Sequence, residues 1–328
     1  MHKQSRRYKQ QGIALLSVLL TMSIAVILVA GMTDSFRFRL RSTTSMQDRE
    51  QAWWYALSGE ELAIKALLQD LKDDPDVTHL GQYWATQRVS FPVGEGFISG
   101  GVVDARACFN LNSLQQEDSD SGEKSQNFLV FKTLLEDFDI EGYVAEQITE
   151  ATRDWVNPSL TPISGLGAGD DYYLSLPVAY LAANTQMRDA SEWRAVLGVT
   201  PVIARQVLPV LCAIPSAELS VNVNTIAENQ PELMAALFAG ELSLPQATDL
   251  LERRPRDGWN TLDDFFQESI LSNVNTSRAR NVTTVNSDFF EVIARVKAGS
   301  TTLSVYSLLW RKGEKEVVVL RRRPGEQV

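Results

Sequence analysis

Residues 13–33 are the longest uncharged run in the chain, from Ile13-Ala-Leu-Leu-Ser17 through Leu28-Val-Ala-Gly31 to Met32 and Thr33, with the next charge at Asp34. As a helix such a run rises about 30 Å, the thickness of a bilayer's hydrocarbon core. No second stretch of this kind follows, so the rest is expected to fold as one water-facing body tethered at one end. The twelve residues before the run hold Lys3, Arg6, Arg7 and Lys9 and no acid. Without them the formal net charge of the 328-residue chain moves from −10 to −14.

Three kinds of segment have this outline: a cleaved secretory signal, a plain anchor, and a leader cut at its junction with a long helix. A secretory signal has a shorter apolar core, about 7–15 residues, and a small-x-small site that Leu28-Val29-Ala30 matches poorly. A plain anchor leaves unexplained why Gly12 abuts the run and why the chain beyond it stays helical. Between Met32 and Ser58 there is no Gly or Pro, and the first proline is Pro75, so nothing forces a break. Phe36, Leu40, Met46, Trp53, Ala56, Leu57, Leu62, Ala63, Ala66 and Leu67 suit one amphipathic face. The expectation is a single helix from Ile13 to about Leu71, about 90 Å long, half in membrane and half in water. Its Trp53-Trp54-Tyr55 cluster would pack against a sheet.

The junction Gln10-Gln11-Gly12-Ile13-Ala-Leu-Leu16 resembles the signal of type IV pilins and pseudopilins, which a prepilin peptidase cuts after the glycine. That resemblance implies cleavage between Gly12 and Ile13 and N-methylation of Ile13. Later stretches resemble one family in particular, the general secretion pathway protein K family of minor pseudopilins in type II secretion systems. They are Leu67-Leu-Gln-Asp-Leu-Lys-Asp-Asp-Pro75, Thr78-His-Leu-Gly-Gln-Tyr-Trp-Ala85, Asp104-Ala-Arg-Ala-Cys-Phe-Asn-Leu-Asn112, Ala182-Ala-Asn184 with Asp189-Ala-Ser-Glu192, and Val221-Asn-Val-Asn-Thr225. The resemblance implies a non-enzymatic protein at the tip of the periplasmic pseudopilus, starting or capping the filament and supporting export across the outer membrane. It would be held in the inner membrane by a single span, with its soluble part in the periplasm. The implied partners are the other minor pseudopilins of the tip complex, the major pseudopilin below, the prepilin peptidase and the inner-membrane assembly platform. The competing class is an inner-membrane-anchored periplasmic binding module or hydrolase unrelated to secretion.

At the fifth position after the junction stands Ser17, where most pilins and major pseudopilins carry Glu. In those relatives the carboxylate is thought to neutralise the free amino terminus of a neighbouring subunit, a charge that is costly to leave unpaired in apolar surroundings. A subunit with Ser17 lacks that counter-charge and fits best with nothing above it.

Beyond the first helix the pattern changes period. Residues from about Arg88 to Asn110 read as two or three strands, with a turn at Gly94-Glu-Gly96 and a pair, Gly100-Gly101, suggestive of a bulge. Helical periods follow at Phe128–Phe138, Val144–Trp155, Ala190–Leu197, Val202–Leu211, Pro231–Ala239, Pro245–Arg253 and Thr261–Glu268, with Pro201, Pro231 and Pro245 as first-turn prolines. Strand patterns return at Thr283–Ala298 and Thr301–Arg323, turning at Gly313-Glu314. The simplest arrangement is α+β: a type IV pilin-like fold, a long N-terminal helix packed on an antiparallel sheet, with a large inserted all-α domain. The expected division is a leader over 1–12, the transmembrane part of the helix over 13–33, the first part of the pilin-like domain over 34–112, the inserted domain over 113–280 and the last strands over 281–328.

Cys108 and Cys212, the two cysteines, are expected to pair in an exported domain, closing a loop of about 100 residues; the alternative is two buried thiols. Asp154-Trp-Val-Asn157 and, after a Pro/Gly-rich loop, Asp170-Asp171 offer the oxygen ligands that calcium prefers, and the resemblance adds calcium near such a stretch. The competing reading is a helix-capping Asp pair in a solvated loop. Asp118-Ser-Asp120-Ser-Gly122 lacks the acid that a calcium loop needs at its twelfth position. Gly165-x-Gly-x-Gly169 follows no buried strand, so it does not mark a dinucleotide site. With only His2 and His79, histidine-based triads and zinc sites have almost no material, and Glu60-Glu61, Asp73-Asp74 and Asp263-Asp264 read as solvated helix faces. The Leu197-Gly-Val-Thr-Pro-Val-Ile-Ala-Arg205 stretch has the cadence of a DNA-binding hairpin, but its acidic surroundings argue against nucleic acid as a partner.

Overall fold

Uninterrupted by proline, the chain runs as one 63-residue helix, α1 (Gln11–Asp73), before Pro75 prevents its continuation. The structure, a computed structural model, describes residues 11–86, 89–94, 96–116, 118, 122–313 and 316–325. The leader up to residue 10 lies outside the described residues, as do Glu95, Asp120 and Glu314 of the turns and loop discussed above.

Strands β1 (Val89–Val93) and β2 (Gly96–Asp104) form a hairpin. Four two-residue strands come next in the chain: β3 (Phe109–Asn110), β4 (Leu211–Cys212), β5 (Val221–Asn222) and β6 (Thr283–Thr284). Three long ones close it: β7 (Phe289–Ala298), β8 (Thr301–Lys312) and β9 (Glu316–Pro324). The sheet is antiparallel in the order β1-β2-β7-β8-β9, so everything from residue 105 to 288 is inserted between neighbouring strands. Gly100 and Gly101 pair in regular register with Ala294 and Ile293 and form no bulge. Glycine is there because a Cβ on Gly100 would lie 2.0 Å from the Ile293 carbonyl oxygen. A register shift occurs instead between Leu308 and Leu309 on β8.

The soluble half of α1 meets the sheet through small residues. Ala52 and Ala56 are buried against Ala294, Val296, Ala298 and Val305, and a Cβ on Gly59 would touch Ile98 at 3.4 Å. Further along, Leu67 packs with Trp84, Phe290, Val292 and Leu309. Small side chains let the helix backbone approach the strands closely; of the expected face, Ala56 and Leu67 are buried and Ala63 packs beside Leu67, while several of its larger residues stay out of the contact. Phe36, Leu40 and Met46 are exposed, Leu62 is 50% exposed, and of the aromatic cluster Trp53 and Tyr55 flank the contact while Trp54 faces solvent.

The inserted region carries α2 (Gln126–Asp137), α3 (Gly142–Val156), α4 (Asp170–Leu174), α5 (Pro201–Val207), α6 (Pro231–Ala236), α7 (Leu244–Glu252) and α8 (Leu262–Phe266). Pro201, Pro231 and Pro245 occupy first turns as expected. The strand expected over 283–298 is two elements: β6 pairs with β5, whereas β7 enters the sheet, because Asn286 and Ser287 between them are engaged in polar contacts.

This region is built twice. Phe109-Asn-Leu-Asn-Ser-Leu114 opens one unit and Val221-Asn-Val-Asn-Thr-Ile226 the other. Each opening strand is joined in parallel by the unit's closing strand, β3 by β4 and β5 by β6. In both, the first Asn accepts the second one's N–H, Asn110 from Asn112 at 3.3 Å and Asn222 from Asn224 at 3.0 Å. The next hydroxyl then donates to the first Asn's carbonyl, from Ser113 at 2.6 Å and from Thr225 at 3.2 Å. One continuous apolar core fills both units, with Phe131 between Phe109 and Trp193 in the first and Phe265 against Trp259 in the second.

Candidate functional site

Residues 13–47 of α1 stand clear of the globular body, every one of them exposed. Among the described residues this is the one helix long and apolar enough to cross a membrane. The hydroxyls of its apolar part, residues 13–33, are satisfied within the helix: Ser17 donates to the Ala14 carbonyl at 2.9 Å, Thr21 to Val18 at 3.0 Å, Ser23 to Leu19 at 2.8 Å and Thr33 to Val29 at 2.8 Å. An apolar helix with internally bonded hydroxyls presents lipid or neighbouring helices with no unpaired hydroxyl. Gly12 and Ile13 are continuous in this helix, and Ser17 lies one turn beyond them.

Three carboxylates of α1 fix where the body sits on the helix. Glu60, buried, receives two hydrogen bonds from the Arg322 guanidinium of β9, at 2.9 and 2.7 Å. Asp48 accepts from the backbone and hydroxyl of Ser300 in the β7–β8 turn, at 3.1 and 3.2 Å. Asp70 accepts the backbone N–H groups of Tyr83 and Trp84, at 2.9 and 2.8 Å; burial raises its pKa and these two donors oppose that rise. Glu60 is therefore not the solvated helix-face acid expected from Glu60-Glu61. Of the pair Asp263-Asp264, the first binds Arg280 and the second caps Thr261. Beside the helix, Leu62, Tyr83, Phe91, Ile98 and Val102 line an apolar groove toward β1 and β2, and Phe91 and Phe97 are partly exposed.

A second junction joins sheet to insertion. Asp104, at the end of β2 and fully enclosed, accepts from Ser287 at 2.5 Å, Thr225 at 2.6 Å, Asn222 at 2.9 Å and the Arg106 N–H at 2.8 Å. Burial raises its pKa and the four donors pull against it. Nearby, Cys108 and Cys212 form a disulfide with Cα atoms 5.8 Å apart, tying β3 to β4. Sequence reasoning assigned no role to Asp104 or Asn222; the signal was a carboxylate and an amide flanked by strand-forming apolar residues.

The residues considered for calcium are placed otherwise. Asp154, buried at the end of α3, accepts the Ile163 and Ala168 N–H groups at 2.9 and 3.1 Å, one on each oxygen. Burial raises its pKa against those donors. Gly167 passes so close that a Cβ there would lie 1.8 Å from the Asp154 carboxylate, which accounts for the glycine-rich loop. Asn157 accepts from Ser159 at 2.9 Å, and Asp170 from Ala182 at 3.0 Å. Asp170 and Asp171 occupy the first turn of α4, with Gly169 at the cap position. Among the described residues no three His, Cys, Asp or Glu side chains come together to hold a metal ion. Asp154, Asn157 and Asp170 thus organise a loop through backbone donors.

Two family models, both described as Type II secretion system (T2SS), protein K, match residues 107–216 and 221–286, and those limits coincide with the two units. The chain is 38% identical over 323 residues to type II secretion system protein K of Aeromonas hydrophila, covering 97% of this chain and 98% of that one. It is 37% identical over 322 residues to the protein of that name from Pectobacterium carotovorum subsp. carotovorum, covering 97% and 98%. Among solved structures, the GspK-GspI-GspJ complex of the enterotoxigenic Escherichia coli type 2 secretion system contains a chain that superposes with a TM-score of 0.80 at 32% identity. The match covers 87% of this chain and 99% of that one.

Proposed function

The chain belongs to the type II secretion system protein K family, and from that premise we propose that this minor pseudopilin sits at the tip of the periplasmic pseudopilus, where it starts or caps the filament. The observation that carries the tip position is Ser17, whose hydroxyl is engaged by the Ala14 carbonyl and which offers no carboxylate to the amino terminus of a subunit above. Filament growth over this subunit would leave a buried ammonium unpaired, a cost of several kcal/mol.

In this reading the leader is removed between Gly12 and Ile13, Ile13 is N-methylated, and the apolar half of α1 holds the chain in the inner membrane before assembly. The body then projects into the periplasm. The partners are counterparts of the other two proteins in the solved complex, with the major pseudopilin below, and the peptidase and assembly platform act on the way. The exposed half of α1 and the groove by β1 and β2 supply contact surface, and the role is non-enzymatic.

Two measurements test this. Mass analysis of the mature amino terminus should find N-methylated Ile13; an intact Met1 or a start near Gly31 overturns the processing. Sheared pseudopili labelled on this chain should carry label at one end only, and Ser17→Glu should admit label inside the shaft. Label along the wild-type shaft excludes the tip position.

A further inference from the structure

Between the apolar run and the body lies a bare helical neck, Asp34–Gln47, exposed throughout. It reads Ser35-Phe-Arg-Phe-Arg-Leu-Arg-Ser42. Arg37, Arg39 and Arg41 make no hydrogen bond or ion pair with any described residue, and Phe36, Phe38 and Leu40 between them are 66%, 75% and 57% exposed. We propose that this arginine–phenylalanine collar binds the anionic phosphate headgroups of the leaflet into which the apolar half of α1 emerges. The inference rests on the reading of that half as a membrane span.

Three features favour a lipid surface over a protein partner. The first is position: at 1.5 Å per residue the arginines lie about 6–12 Å beyond Thr33, and the headgroup layer extends roughly 5–7 Å past the hydrocarbon core. The second is direction. Side chains on a helix tilt toward its amino terminus, which here is the membrane side, so long guanidinium arms reach back to cover the remaining gap. The third is distribution. Successive alternate positions are about 200° apart around a helix, so Arg39 points away from Arg37 and Arg41, and the aromatic rings fall between. A flat protein partner would engage one face. A headgroup layer surrounds the helix and engages all three charges, while Phe36 and Phe38 insert at the acyl boundary.

The test uses the full-length mature chain in bilayers of equal phosphatidylglycerol and phosphatidylethanolamine, with retained lipid counted by native mass spectrometry. Wild type should keep phosphatidylglycerol in preference, and the triple variant R37Q/R39Q/R41Q should lose about tenfold of that retention. An excess of inorganic phosphate should not compete. Resistance to carbonate extraction should be equal for both proteins, which separates the collar from the span. Equal retention of the two lipids, an unaltered variant, or a variant defective only in co-assembly with partner pseudopilins would each overturn the collar. A wild type extracted by carbonate would instead overturn the span on which it rests.

Discussion

Asn112 and Asn224 make the same two-handed contact in different places. Asn112 accepts the Met187 N–H at 2.7 Å and donates to the Met187 carbonyl at 3.0 Å, and Asn224 accepts the Trp259 N–H at 2.8 Å and donates to the Trp259 carbonyl at 3.0 Å. Two residues beyond each clamped residue a capping box starts the next helical turn, Asp189 with Glu192 and Thr261 with Asp264. Both amides are buried, so truncation leaves an N–H and a carbonyl without partners. Asn112→Ala and Asn224→Ala should each lower stability by about 2–4 kcal/mol, measured by chemical denaturation, and the losses should add because the clamps share no partner. A loss under about 0.5 kcal/mol for either would show that the clamp is incidental.

The order of elements was readable from period and punctuation: the unbroken helix, the strands at 89–104 and 301–323, and the first-turn prolines. What was not readable depends on contacts distant in sequence. The expected face of α1 holds at Ala56, Ala63 and Leu67, but Ala52 and Gly59 complete the close contact while the larger Phe36, Leu40 and Met46 take no part in it. The duplication lay in two Asn-x-Asn pairs that hydropathy treats as polar noise. The backbone donors on both Asp154 oxygens and the close approach of Gly167 were not legible either, because carboxylates and small residues serve backbone donors as well as they serve a cation.

That loop gives the second prediction. Asp154 has a backbone donor on each oxygen, from which the 157–170 segment is expected to hold its form without a cation. Chelation of calcium from the purified soluble body should shift its melting temperature by less than about 1 °C. Asp154→Ala should cost about 1–3 kcal/mol with or without calcium, since two N–H groups lose their acceptor. A calcium-dependent rise of several degrees, abolished by Asp170→Asn and Asp171→Asn together, would show a bound ion.

Asp137 makes stability depend on pH. At the end of α2 its Oδ2 is buried without a hydrogen bond, and burial, reinforced by the charges of Glu232 and Glu136, raises its pKa from 3.8 to about 7. A carboxyl whose pKa is higher folded than unfolded binds more protons in the native state, so stability is full below about pH 4 and falls as pH rises to about 7. Asp137→Asn should therefore gain on the order of 1 kcal/mol relative to wild type at pH 8, and nothing at pH 4. An equal change at both values would refute the assignment.

The disulfide between Cys108 and Cys212, 104 residues apart, closes the whole first unit. In the chain-entropy account such a loop contributes up to about 4–5 kcal/mol. Reduction, or the Cys108→Ser/Cys212→Ser variant, should lower the denaturation midpoint and expose β3 and β4 first in hydrogen exchange. Protection lost first in the five-stranded sheet would contradict that order.

The Glu60–Arg322 pair offers a sharper test of how the body is held on α1. Glu60 is 5% exposed, and its charge is matched by the guanidinium on β9. Removing the arginine alone leaves that carboxylate buried and uncompensated, whereas removing both charges leaves only an apolar contact between helix and sheet. Arg322→Met should cost about 2–4 kcal/mol, less if the partly exposed guanidinium is screened, and Glu60→Leu with Arg322→Met should recover most of the loss. If the double variant is as unstable as the single one, the pair holds the helix by geometry that an apolar contact does not replace. If both are as stable as wild type, the small-residue contact at Ala52, Ala56 and Gly59 alone suffices to seat the body.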